Sequence, residues 1–231
     1  MIINKQQKQS MSASCHAQRG AALIEWIIVG PLALFLLMAT IEIGFWMMAK
    51  SALNYATFEA ARSGAVEHAD LARIKTAFEK AMVPFYGGGL NADEINQTYA
   101  TVVIPDIRAS LSTLEIVNPT HAVFDDFGVT EAGRHQIPND NLAYRANFVG
   151  SKSAQSIQDA NLLKIKVVYG YKLKIPLVRA IIFELLKIIT VDEQTLLMYG
   201  TNRIPIQTQA IVRMQSAAYD QPNWKTGYGF M

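Results

Sequence analysis

The sequence predicts an α+β protein: a long N-terminal transmembrane helix that extends into a separate domain of helices plus a small antiparallel sheet. Three observations carry this. From Ala21 to Met48 only Glu25 and Glu42 are ionisable, and as a helix that span is about 42 Å long at ~1.5 Å per residue. A hydrocarbon core of ~30 Å needs about 20 apolar residues, so the run is long enough to cross. Residues 49–65 then keep Leu53, Phe58 and small residues among polar ones at helical spacing. Finally, residues 161–178 and 203–215 alternate polar with apolar side chains, the period of a half-buried strand.

These observations divide the 231 residues into a basic leader (1–20), a transmembrane helix (21–48), its continuation (49–65) and one domain (66–231), a size that a single domain reaches. The leader carries Lys5, Lys8 and Arg19 and no acid. The positive-inside rule therefore puts it in the cytoplasm and the domain outside. In a diderm bacterium that means an inner-membrane anchor and a periplasmic domain. The formal charge of +2 owes three positives to the leader; without it 18 bases face 19 acids, a net −1. No basic surplus is left to hold nucleic acid by its phosphates. Cys15, the one cysteine, also lies in the leader, so residues 21–231 hold neither a disulfide nor a thiolate metal site.

Within the apolar run, Glu25 demands a partner, because a carboxylate in lipid costs a few kcal/mol and marks a functional site by default. The run exceeds the 7–15-residue core of an ordinary signal peptide, and a carboxylate interrupts its start. An uncleaved signal anchor, with Glu25 at the headgroups, stays open. Glu42 and Trp46 sit near the far end and are expected to mark the outer interface. Gly30-Pro31 predicts a kink near residues 27–31, since proline removes a backbone donor and crowds the preceding turn.

The order of basic leader, Gly20, Ala21-Ala-Leu-Ile-Glu25 and long apolar helix resembles the processing site of type IV prepilins. The continuation Ile41-Glu42-Ile-Gly44-Phe45 and Asn54-Tyr-Ala-Thr-Phe-Glu59-Ala-Ala-Arg62 is similar to TadE-like pilus assembly proteins of tight-adherence (Flp) systems. The resemblance is best over residues 19–66. It implies a pilin-like fold, cutting by a prepilin peptidase between Gly20 and Ala21, and a salt bridge from Glu25 to the new amino terminus of a neighbouring subunit. Such a pair gains attraction in a low dielectric but loses much of it to desolvation, so it favours register over stability. The partners implied are the peptidase, other pilins and pseudopilins, the inner-membrane assembly platform and the bilayer. The role implied is that of a minor pilin or pseudopilin in a pilus for cell adhesion. The alternative is an uncleaved, membrane-anchored scaffold or binding module of a secretion system.

Past the anchor, Ala56, Ala60 and Gly64 recur every four residues, a spacing that lets another helix approach closely. That neighbour is either the chain's own domain or another subunit. Leu71, Ile74, Phe78 and Met82 predict a second helix over 69–82, and Pro84 with Gly87-Gly88-Gly89 a flexible turn. Asn91, Asp93 and Glu94 can cap a third helix toward Ile104, which Pro105 ends or kinks. From Ser112 the reading is a short strand through Leu114 and Ile116, then loops past Asn118-Pro119, Val123-Phe124 and Phe127. Lysines 164, 166, 172 and 174 line the solvated face of the strand in 161–178 or blunt a sheet edge, with Arg203–Gln215 its antiparallel partner. This strand pair after Asn161-Leu-Leu-Lys also resembles the C-terminal part of proteobacterial TadE-like proteins. Between the strands, Leu177–Ile189 predicts an amphipathic helix whose apolar face meets the core, a partner subunit or the membrane surface.

Enzyme chemistry finds no footing in the pattern. Histidines 16, 68, 121 and 135 stand apart, without HExxH spacing, and no serine sits in a GxSxG turn. The triple glycine lacks the Lys-Ser/Thr pair of a phosphate loop. Asp125, Asp126, Asp140 and Asp159 lack EF-hand spacing. The expectation is a non-enzymatic protein with no cofactor and no metal.

Overall fold

The computed structural model describes residues 7–189 and 193–227, with side chains described for 23–186 and 195–224; Lys5 of the leader lies outside the described residues. One helix organises everything else. Helix α1 (Gln7–Val66) runs unbroken through Gly30-Pro31 and carries the apolar stretch and its continuation as a single rod. Leu23–Val66 is, among the described residues, the one helix long and apolar enough to cross a membrane. Between Leu23 and Met48 its large apolar side chains are mostly bare. From Ala49 onward one face is fully covered, with Leu53, Ala56, Ala60, Ala61 and Ala65 inside the domain core.

The rod ends in a tight reversal. His68 and Ala69 take left-handed backbone angles (φ 58° and 60°), the Ala69 N–H closes on the Gly64 carbonyl at 2.8 Å, and Asp70 caps helix α2 (Leu71–Ala81) by accepting from the Ala72 N–H. Helix α2 turns Ile74 and Phe78 inward with Met82 just beyond it, the face that the sequence spacing marks. A 3-10 turn follows at Val83–Tyr86, then Gly87 and Gly88 with φ of 104° and 62°, angles that glycine adopts without steric cost.

Helix α3 (Ala92–Thr98) opens on a reciprocal cap: Asn91 accepts from the Glu94 N–H, and Glu94 accepts from the Leu90 N–H, which satisfies otherwise orphaned donors. The segment does not stop at Pro105. A π turn at Tyr99–Val103 hands over to helix α4 (Ile104–Ala109), with Pro105 in its first turn; the wider turn sits where the proline has no N–H to give the preceding carbonyls.

Strand β1 (Thr113–Asn118) begins the sheet. Loops were expected next; the chain instead forms helix α5 (His121–Phe127) and a hairpin of β2 (Val129–Glu131) and β3 (Arg134–Ile137). The helix exists because Val123, Phe124 and Phe127 bury one face of two turns, and the hairpin closes through Ala132 and Gly133, both at positive φ, an angle that only the glycine takes without steric cost. After the short helix α6 (Ile157–Ala160) come strand β4 (Leu162–Lys172), helices α7 (Pro176–Ile189) and α8 (Glu193–Gly200), and strands β5 (Arg203–Arg213), β6 (Ala218–Tyr219) and β7 (Lys225–Gly227).

The main sheet is antiparallel, in the order β5-β4-β1-β7, and β2-β3-β6 form a second, smaller one. Strands β4 and β5 pair along their whole length, from Leu162 opposite Arg213 to Lys172 opposite Arg203. Leu163, Ile165, Val167, Tyr169 and Tyr171 face inward while Lys164 and Lys166 face out. The sheet packs on α1 through β4 and β5, and α2 covers another side of the same helix. Gly64 marks the closest approach: a Cβ there would lie 2.6 Å from Ile74 Cγ1 and 2.8 Å from Leu163 Cδ2.

Candidate assembly interface

The surface of α1 changes character twice along its length. In its first half Leu23, Ile24, Trp26, Ile27 and Ile28 are more than 60% exposed. Glu25 is exposed among them, and it needs either lipid headgroups or an opposite charge from another chain. Gly20 and Ala21 lie five and four residues before it, within the helical backbone.

One full apolar span further on, Glu42 is 2% exposed. Its carboxylate accepts from the backbone N–H of Lys174 (3.0 and 3.1 Å) and of Ile175 (2.7 Å), and from the Tyr171 hydroxyl (3.2 Å). The two N–H groups precede Pro176, the first residue of α7, so Glu42 supplies from α1 the anionic cap that α7 lacks in its own sequence. Burial first, and then the Glu42 charge, push the Tyr171 hydroxyl well up from its ordinary value. The sequence places Glu42 near the outer interface; the fold makes it, in addition, a buried clamp between α1 and the domain, with partners 129–133 residues later in the chain, where no local spacing records them.

The small-residue stripe is occupied from within. Ala56 and Ala60 are 0% exposed and Gly64 is buried, covered by the chain's own α2 and sheet. Between them the Thr57 hydroxyl bonds that of Thr208 on β5 at 2.7 Å. Of the two neighbours that the spacing allows, this stripe meets the chain's own domain. The opposite face of the same helical turns stays open: Tyr55 is 57% and Phe58 50% exposed, with Arg62 and Glu59 at 4.0 Å beside them.

A polar cluster lies under the sheet near Glu42. Arg203 donates to Asp106 at 2.6 Å and to the Gly170 carbonyl at 2.9 Å, while Tyr86 (2.6 Å) and Tyr169 (2.9 Å) donate to the other Asp106 oxygen. Burial alone would raise the Asp106 carboxyl, but the bonds from Arg203 and Tyr86 and the Arg203 charge outweigh it and hold the group below its ordinary 3.8. Burial, followed by neighbouring charge, pushes the Tyr169 hydroxyl the opposite way. The cluster borders a cleft of about 480 Å³ that Lys172, Lys174 and Arg179 also line.

The scattered acids find local work. Asp126 accepts from the Lys152 and Ser153 N–H groups and Asp159 from the Ser156 hydroxyl. Among the described residues no group of three or more His, Cys, Asp or Glu could hold a metal. The histidines, by contrast, are less isolated than their spacing suggests. His121 from α5 and His135 from β3 both face Asp220, at 3.2 and 3.4 Å, the latter because β3 pairs with β6 next to that aspartate. His68 stacks on Tyr219 at 4.1 Å.

No curated protein and no solved structure matches the chain. The model of the TadE-like protein family matches residues 20–62. That match begins at Gly20, takes in Glu25, Glu42 and the start of the small-residue stripe, and stops four residues short of the end of α1; the strand pair β4–β5 lies outside it. The helix that forms the spine of the domain is therefore similar to the TadE-like family over residues 20–62, and it is long and apolar enough for single-pass anchoring in a membrane.

Proposed function

We propose that the protein is a minor pilin or pseudopilin that takes part in assembling a Flp-type, tight-adherence pilus. It has no enzymatic activity in this reading and needs no cofactor. A prepilin peptidase cuts after Gly20 at the cytoplasmic face of the inner membrane, and the domain stands in the periplasm. The new Ala21 amino group of one subunit pairs with Glu25 of the next, and assembly-platform proteins and other pilins are the remaining partners. The observation that carries this reading is a family match starting at Gly20, with an exposed carboxylate five residues on inside a bare apolar helix. The open Tyr55 and Phe58 face supplies apolar surface for a neighbouring subunit at the level of the domain.

A second reading keeps the leader. Helix α1 passes through Gly20 from Gln7 without interruption, which fits an uncleaved anchor of a periplasmic scaffold as well as the precursor of a cleaved pilin. The intact mass and N-terminal sequence of the membrane-extracted protein, with and without the native peptidase, separate the two. A start at Ala21 only with the peptidase supports the pilin. A start at Met1 in both samples sinks it in favour of the scaffold.

A further inference from the structure

We propose that the outward face of α7 is a lipid-contact surface, lying in the outer leaflet of the same bilayer that α1 crosses. Helix α7 is apolar on two sides, and the domain uses only one. Val178 and Phe183 are 1% and 3% exposed against the core. Leu177, Ile181 and Leu185, four residues apart, are 48%, 41% and 58% exposed on the other side.

The depth of that face follows from Glu42. The clamp holds residues 174 and 175 against α1 at residue 42. From Leu23 to Glu42 the helix rises ~28 Å at ~1.5 Å per residue, close to a ~30 Å hydrocarbon core. Helix α7 thus starts at the level where α1 leaves the acyl chains. Ile41 and Ile43, flanking the clamp, are 47% and 58% exposed, so the bare surface of the anchor and that of α7 adjoin at one depth.

The charges around this level fit headgroups. Lys174 stands 4.6 Å from the centre of the Phe45 ring and Lys50 5.5 Å from that of Trp46, cations and aromatic rings at the position where membrane proteins gather both. Glu184 is exposed, about 20° of arc from Leu177 and about 60° from Ile181 at ~100° per residue, so it sits at the Leu177 edge of the apolar face, where a helix lying in the interface meets headgroups. A helix with this division lies in the plane of the interface.

Depth measurement by spin labelling tests this on the full chain. With Cys15→Ser as background, single cysteines replace Ile181 or Leu185, Leu36 on the bare anchor as a lipid reference, and Tyr144, 92% exposed, as a water reference. Each nitroxide-labelled protein is placed in phosphatidylethanolamine–phosphatidylglycerol vesicles, and collisions with oxygen and with a water-soluble nickel chelate are compared. All four positions are exposed, so the labels leave the core intact. Labels at 181 and 185 are expected to collide with oxygen several-fold more than with nickel, as at 36, with the reverse at 144. Nickel access at 181 and 185 equal to that at 144 would overturn the proposal in favour of a face in water. Shielding from both reagents would overturn it in favour of a second copy or another protein on that face.

Discussion

Replacing Glu42 by alanine should loosen α7 while leaving the sheet closed. The carboxylate is buried and serves three donors, two of them the backbone N–H groups of Lys174 and Ile175. A buried donor left without an acceptor costs about 1–3 kcal/mol, and an anion at a helix N-terminus adds up to ~1 kcal/mol. Allowing water to recover part of this, the loss is about 3 kcal/mol, or roughly a hundredfold in the opening equilibrium at ~1.4 kcal/mol per tenfold. Hydrogen exchange of the full chain in nanodiscs, read by mass spectrometry, should show amides over 174–186 exchanging roughly a hundredfold faster, while β4 and β5 keep their protection. Glu42→Gln retains one carbonyl acceptor and should cost about 1 kcal/mol, with correspondingly faster exchange. Ile41→Ala, one residue away on the exposed side, serves as control. If Glu42→Ala leaves the α7 amides as slow as in the parent, or speeds the whole domain uniformly, the clamp is not what holds α7 to the anchor.

Three further outcomes are expected. Gly64→Ala places a Cβ against Ile74 and Leu163 and should cost about 1–3 kcal/mol of overpacking; thermal unfolding in detergent should show a lower midpoint, and an unchanged one would mean that the neighbours give way without cost. Asp106, held below its ordinary value in the fold, contributes stability that is present above pH 3.8 and lost as pH falls toward the lower folded value. Denaturation of Asp106→Asn should therefore show a deficit at pH 7 that narrows on acidification below about pH 4, whereas a constant gap would point to packing alone. Glu25→Gln should leave membrane insertion and the Gly20 cut intact but lower incorporation into sheared pili by more than about tenfold, the loss of roughly one charge pair in a low dielectric; undiminished incorporation would remove Glu25 from subunit pairing.

Elements whose signal is periodic and local were legible from the residues. The continuation of the anchor, the inward face of α2 and the β4–β5 pair write their burial into spacing of 3.6 or two, while the anchor shows as an unbroken apolar run and the Asn91 cap as an Asn followed three residues later by Glu94. Helix α5 was read as loop because its three apolar residues span less than two turns, too short a window for a period to show. Glu42 and the Asp106–Arg203 pair escaped for a different reason. Their partners sit 129–133 and 97 residues away in sequence, and a charge alone in an apolar run looks the same whether it meets lipid headgroups or a distant backbone. The small residues of α1 illustrate a further limit: the spacing says that something comes close, and only the fold says that it is α2 and β4.

Because span and spine are one helix, tied to the domain at Glu42, at Thr57 and again at Ala65, where the Gln215 and Ser216 N–H groups close on its carbonyl, the domain has a fixed phase about the membrane normal. One residue inserted near Leu34 would swing the domain by ~100° relative to Glu25 and raise it by ~1.5 Å, whereas seven would return it to within ~20° of its bearing but lift it by about 10 Å. The anchor thus acts as a keyed shaft: its length sets the direction in which the domain faces its neighbours, and a subunit that rotates in the membrane must turn its whole domain with it.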